Sequence, residues 1–241
     1  MKYIGYTIVW LIIAVALGLF MSLWASHFLG VTSPGLLLAI TFAPVLPCYW
    51  LIPASLKSGT RHLTPNTWYR GFGLGLALIF LIAGITDLLG LSTINPLILF
   101  TPVGLGLLLG RIIQAGAEEL IFRQFLFKNL TSRYPANIPF HHIGMVGAVF
   151  VLAHVVNPGF SLHSAVTMFI FSGLMCKQFN TNGLGWVWGF HTAWNWGLLV
   201  VVDSGAVFWL LQTAALLGWY QYQSGLVFSW KTNLLGGKTN A

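Results

Sequence analysis

Apolar runs dominate this sequence, and their length decides what the chain can fold into. Several of them, beginning with Tyr3 to Leu29, approach or exceed the roughly 18–20 residues that cross the hydrocarbon core of a bilayer. They occur in a chain of 241 residues of which 57% are hydrophobic and only 6% charged, whereas a soluble domain carries about 25% charged residues. The bilayer is therefore the solvent against which each polar side chain has to be judged. The expected fold is all-α: a polytopic membrane protein, one domain over residues 1–241, built as a single bundle of about eight transmembrane helices with short loops. Its chemistry-bearing core falls at about 107–203.

Hydropathy and helix breakers put the spans near 4–29, 34–56, 71–91, 107–128, 140–156, 162–179, 184–203 and 205–223. The first run is about twice as long as the ~7–15-residue apolar region of a signal peptide and reads as a retained transmembrane helix. Pro44, Pro47 and Pro53 make the second span irregular. Between Ile94 and Leu109, Pro96, Pro102 and two glycines interrupt the apolar pattern, as an interfacial or re-entrant piece would. Asn182-Gly183 is a turn before the seventh span.

The net charge of +7 comes from eleven cations spread along the chain without a basic stripe. That distribution speaks for topology and anionic headgroups, and against a nucleic-acid partner. With both termini in the cytoplasm, Lys2, Lys57, Arg61, Arg70, Lys128, Arg133, Lys177, Lys231 and Lys238 all fall on one side of an eight-span bundle, and Arg111 lies toward the other. This is the pattern of a multi-pass protein of the cell's inner membrane. Cys48 and Cys176 lack metal-type spacing and read as small buried residues.

The chain has four acidic residues. Asp87 and Asp203 fall near span ends, where water solvates them. Glu118 and Glu119 sit near the middle of a span, where a charge costs about 2.5–3.5 kcal/mol to insert. Adjacent helical residues point about 100° apart, so the two carboxylates have different surroundings. Glu119 and Arg123 are spaced i, i+4 with the acid first, the favoured order for a helical ion pair, and such a pair offsets part of each ion's desolvation. Glu118 has no cation at i±3 or i±4. Two further spans carry polar groups on one face: Phe150 with His154, and His191 with Asn195, each i, i+4. A lone intramembrane His or Asn is most often a hydrogen-bonding link between helices. A carboxylate, a His and a His/Asn pair on three helices together supply a base, a second acid/base and neutral donors. The tryptophans 186, 188, 194 and 196 read as interface belt and helix packing, with Trp194 placed to help wall a site. His27, His62, His141, His142 and His163 fall in loops or at span ends.

"EELIFR" at Glu118–Arg123, "FVLAH" at Phe150–His154 and "HTAWN" at His191–Asn195 resemble, in order and with every signature position filled, the EExxxR, FxxxH and HxxxN/D motifs of a known family. It is the CAAX protease and bacteriocin-processing (CPBP, or Abi) family of intramembrane proteases. The resemblance covers roughly Glu118 to Asn195. It implies an eight-helix membrane core that cleaves a peptide bond in a membrane-associated protein or peptide. By position, Glu118 would activate water as general base, His154 would orient the water or pass a proton, and His191 and Asn195 would donate to the oxyanion. Glu119, Arg123 and Phe150 would brace the site.

No cofactor is implied on this reading. Two His and a Glu also make a catalytic zinc set, and in a metalloprotease Glu118, His154 and His191 would be the ligands. The chain lacks HExxH spacing, and a neutral Asn195 suits an oxyanion donor better than a ligand. A proton-coupled transporter, with Glu118 in a relay, and a non-proteolytic scaffold are the readings from other classes.

Overall fold

The computed structural model describes residues 2–51, 63–132, 140–155, 160–204 and 206–223. Pro53, Lys57, Arg61, His62, Arg133, Lys231 and Lys238, each given an expected place from the sequence, lie outside the described residues. Helices account for nearly all of the described chain: α1 Lys2–Phe28, α2 Pro34–Phe42, α3 Pro65–Leu88, α4 Pro102–Glu119, α5 Lys128–Thr131, α6 Phe140–His154, α7 Leu162–Gly197 and α8 Ala206–Gln223. The described residues are all-α apart from one two-stranded ribbon.

Helix starts follow local chemistry. Proline occupies the first turn of α2, α3 and α4, where its missing N–H has no partner to lose. Thr64 caps α3 by accepting from Thr67 N–H, and Thr101 caps α4 by accepting from Gly104 N–H. Pro44 and Pro47 convert the end of the second apolar run into a tighter 3₁₀ winding, Ala43–Leu51, so the α-helical part of that run is only nine residues long.

Two described helices, Val9–Phe28 and Pro65–Leu88, are long and apolar enough to cross a membrane, and Pro34–Cys48 and Phe140–His154 are shorter apolar helices. Much of the outer surface is apolar: on α1, Phe20 is 65% exposed and Leu23 71%, while Ala14 and Ala25 are buried and Leu11 and Val15 half-buried. Apolar side chains on that scale suit lipid and not water.

The interrupted stretch before the glutamates is held by protein, as irregular backbone at membrane depth requires. β1, Ser92–Ile94, pairs antiparallel with β2, Val201–Ser204, in the register Ser92↔Ser204, Thr93↔Asp203 and Ile94↔Val201. A 3₁₀ turn, Pro96–Phe100, then leads into α4, and Asn95 N–H donates to Val200 O at 2.7 Å. Asp87 closes the end of α3 by accepting from Ile94 N–H. The strand pairing was not legible in sequence, because its two partners lie more than a hundred residues apart. As a result β2 occupies the end of the expected 184–203 span, and helix α7 stops at Gly197.

Two backbone devices draw the core together. At Gly183 α7 takes φ 80°, ψ −179°, a conformation open essentially to glycine, so α7 is two helices meeting at the expected Asn182-Gly183 turn. Between α3 and α7 the backbones touch through glycines: a Cβ on Gly71 would meet Trp186 O, and one on Gly189 would meet Trp68 O. Small residues permit this approach where lipid offers no competing hydrophobic drive. Into the interior go Trp186, Phe190 and Trp194, with ring centroids 5.3 and 5.8 Å apart along the helix. Trp186, Trp194 and Trp196 are buried, so for these three the interface-belt expectation gives way to packing; Trp196 Nε1 donates to Gly104 O at 2.9 Å.

Gly189→Leu drives side-chain atoms into the Trp68 carbonyl and costs about 1–3 kcal/mol or more, as overpacking does. Gly73→Leu, with nothing within 4 Å of its Cβ position, serves as the control. Thermal unfolding in detergent is expected to fall for the first and stay within error for the second.

Candidate active site

Three elements converge on the glutamate pair. α4 ends at Glu119, and the chain continues through Leu120–Phe127 in a wider π winding, where a regular α-helix was expected. Such widenings recur at functional sites because they shift the side-chain register within one helix. α6 ends on His154. The second half of α7 carries His191 and Asn195.

Glu119 and Arg123 form the expected i, i+4 ion pair, with Nε 3.3 Å from Oε2 and both residues fully buried. The contact is an ion pair without hydrogen-bond alignment. Arg123 also places its guanidinium carbon 4.8 Å from the centre of the Phe150 ring, so the aromatic face supplies part of the charge compensation that water would. Phe150 braces the site in a second way, because its carbonyl accepts from His154 Nδ1–H at 2.7 Å.

Glu119 has a second partner that spacing could not reveal. Its Oε1 accepts from His191 Nδ1–H at 2.7 Å, across 72 positions of sequence. A carboxylate bonded to one ring nitrogen fixes the tautomer and the ring's orientation. Both histidines therefore commit Nδ1 to the protein and turn Nε2 toward Glu118. The distances to Glu118 Oε2 are 3.7 Å from His154 Nε2 and 3.6 Å from His191 Nε2.

Glu118 itself is buried, with its two oxygens in different situations. Oε1 accepts from Gln114 Nε2 at 2.8 Å, and Gln114 Oε1 in turn accepts from Arg111 at 2.5 Å. Oε2 makes no hydrogen bond. Gln114 stands at i−4 from Glu118 and is legible there by spacing, but a reading of that face for cations passes over it, because the partner is a neutral amide.

A cavity of about 170 Å³ opens on this cluster, lined among others by His154, His191, Asn195, Trp194, Arg111 and Gln114. All of the site residues marked in sequence are thus neighbours: the carboxylate pair, His154, His191 and Arg123 by direct contact, Asn195 and Trp194 by lining the same space. Ring contacts of Phe171 with His191 (5.0 Å) and Phe122 with Phe150 (5.0 Å) make the surrounding wall apolar. Glu118, His154 and His191 face one another, but among the described residues no group of three or more His, Cys, Asp and Glu side chains is disposed to hold a metal ion.

Glu119→Gln leaves Arg123 buried without its carboxylate, a loss of about 3–5 kcal/mol for a broken buried pair. Glu118→Gln leaves Arg123 paired. The unfolding midpoint in detergent is expected to drop much further for the first than for the second; equal drops would mean that Arg123 is compensated elsewhere.

Residues 96–197 match the family model for type II CAAX prenyl endopeptidases, described as Rce1-like. This is the family whose three motifs the sequence resembles, and the matched stretch runs from the 3₁₀ turn before α4 to the end of α7, carrying every motif residue. No curated protein and no solved structure matches the chain.

Proposed function

We propose that this chain is an intramembrane endopeptidase of the CAAX-protease type, hydrolysing a peptide bond in a membrane-associated protein or peptide with a water activated by Glu118. The observation that carries the reading is Glu118 Oε2: buried, without a hydrogen bond, and facing the Nε2 atoms of two histidines whose other nitrogens are committed elsewhere. The match of residues 96–197 to a prenyl endopeptidase family supports it independently.

In this mechanism the attacking water sits at Oε2. Glu118 takes its proton as the oxygen bonds to the scissile carbonyl carbon, and the carbonyl π electrons move onto oxygen. The oxyanion accepts hydrogen bonds from Asn195 and from His191, which must then carry a proton on Nε2 as well as the Nδ1 proton donated to Glu119. Collapse of the tetrahedral intermediate breaks the C–N bond. The proton held by Glu118 passes to the departing amine, with His154 Nε2 beside Oε2 to relay it. Glu119 and Arg123 touch no reacting atom; they position His191 and Phe150.

With the protein in proteoliposomes and a prenylated CAAX-type reporter peptide, Glu118→Gln is expected to lower turnover by about 10²–10⁴ and Asn195→Ala by about 10²–10³, with normal insertion. 1,10-phenanthroline is expected to leave wild-type turnover unchanged. Turnover lost on chelation and restored by zinc would reassign Glu118, His154 and His191 as zinc ligands. Undiminished cleavage by Glu118→Gln would remove the glutamate mechanism, and pH-coupled flux abolished by the same change would favour a transporter.

The membrane arrangement belongs to the same proposal: about eight spans in the inner membrane, both termini cytoplasmic, the bilayer as standing partner and the substrate arriving from it. The apolar surface of α1 and α3 and the one-sided placement of Lys and Arg support this. Fusions at either end of a reporter that is active only in the cytoplasm are expected to be active; an inactive fusion at one end would require an odd number of spans.

A further inference from the structure

The cavity lined by His154, His191 and Asn195 also presents polar side chains that neither the motifs nor the mechanism uses. Helix α8 lies beyond residues 96–197, the stretch that the family model matches. It brings Trp209 and Gln212, three residues apart and so on one helix face, to the cavity wall beside His154, His191 and Asn195. Gln212 is fully buried, and neither its Oε1 nor its Nε2 has a hydrogen-bond partner. Among the described residues lining that wall, Gln212 is the one side chain with both of its polar atoms buried and unpaired; Arg111 leaves only its Nε so. Arg111 bonds Gln114, Gln114 bonds Glu118, Thr167 bonds Thr213 of α8 at 2.7 Å, and the histidines and Asn195 belong to the proposed chemistry.

A buried donor and acceptor left unpaired destabilise a fold, and the penalty is relieved when a ligand completes them. A carboxamide presents one donor edge and one acceptor side by side. Its complement is the C=O and N–H of a single residue in an extended peptide, since these two groups point to the same side of a strand. The α7–α8 bond between Thr167 and Thr213 holds the neighbouring position fixed, which is the rigidity that a positioning group needs.

We infer that Gln212 is a substrate-binding residue of this site, its Nε2 donating to the carbonyl and its Oε1 accepting from the N–H of one residue of an extended substrate peptide close to the scissile bond. The inference rests on the peptidase reading and deepens it: the substrate is held by its main chain, and α8 is part of the active site. Trp209, beside Gln212, gives that residue an apolar surface to lie against.

The test uses the full-length protein in proteoliposomes and the prenylated CAAX-type reporter peptide, in its all-amide form and as a series with single amides replaced by esters, which lack the N–H. Gln212→Leu and Gln212→Met are expected to raise KM about tenfold, the loss of a pair of hydrogen bonds, with kcat changed less than twofold and no fall in the unfolding temperature. One ester position is expected to raise KM in wild type and to have no further effect in either variant.

The same cycle is read as equilibrium binding of the uncleaved peptides to Glu118→Gln protein with and without the Gln212 change. Binding therefore reports on Gln212 even where cleavage is absent. Cleavage by wild type with KM unchanged in both variants overturns the assignment of Gln212 and leaves the peptidase reading standing. Binding that depends on Gln212 without any cleavage overturns the peptidase reading and keeps the peptide site. An unfolding temperature that falls in both variants with KM unmoved makes Gln212 structural, and a peptide neither bound nor cleaved overturns both.

Discussion

Burying Glu118, Glu119 and Arg123 inside an apolar bundle is the constraint on which the rest of the structure turns. An ion removed from water must find its compensation in protein groups, and each partner must come from a helix that packs close enough to supply it. Glu119 takes Arg123 from its own helix and His191 from α7, while Arg123 leans on the Phe150 ring from α6. One fully buried carboxylate thus ties three elements together. Gly116 of α4, where a Cβ would meet the Trp188 ring, lets α4 lie close enough to α7 for the Glu119–His191 bond to reach.

The same compensation sets up an asymmetry between the two carboxylates. Each carboxylate has one hydrogen-bonded oxygen, Glu119 to His191 and Glu118 to Gln114, but the second oxygen of Glu119 is ion-paired with Arg123 whereas that of Glu118 faces two imidazoles. A site that can do proton transfer needs this kind of incomplete pairing, since a fully hydrogen-bonded carboxylate has no lone pair to offer a water. The π winding directly after Glu119 fits the same picture. It re-aims Phe122 and Arg123 relative to the glutamates, at the cost of regular hydrogen bonding in a segment whose packing is otherwise tight.

Much of the site was legible because helical spacing is a local property. The pairs Glu119 with Arg123, Phe150 with His154 and His191 with Asn195 could be placed on common faces from residue numbers alone; Pro44 and Pro47 marked where an α-helix would fail, and Pro96 and Pro102 stand where helical turns begin. For tryptophans 186, 194 and 196 the packing half of the expectation holds and the interface half does not. Composition cannot distinguish a Trp at the headgroups from a Trp in the core; cover by neighbouring helices decides it, as where Trp219 of α8 packs on Trp186 and Phe72 of α3 on Trp196. The β1–β2 ribbon was invisible for a related reason, because three- and four-residue strands carry no periodicity of their own and exist only through each other.

The sequence by itself determined that this chain is helical and apolar, that it holds two carboxylates where a bilayer protein resists them, and that a cation, two histidines and an asparagine stand at helical intervals able to face them. These follow from residue type and from 3.6 residues per turn. Tertiary structure alone decided which partner each group took: that Glu119 would hold His191 as well as Arg123, that both imidazoles would turn Nε2 toward Glu118, and that Gln212 of α8 would reach the same cavity. Those choices depend on helix crossing and close backbone approach between segments up to about a hundred residues apart, and the spacing of residues within one helix carries no record of them.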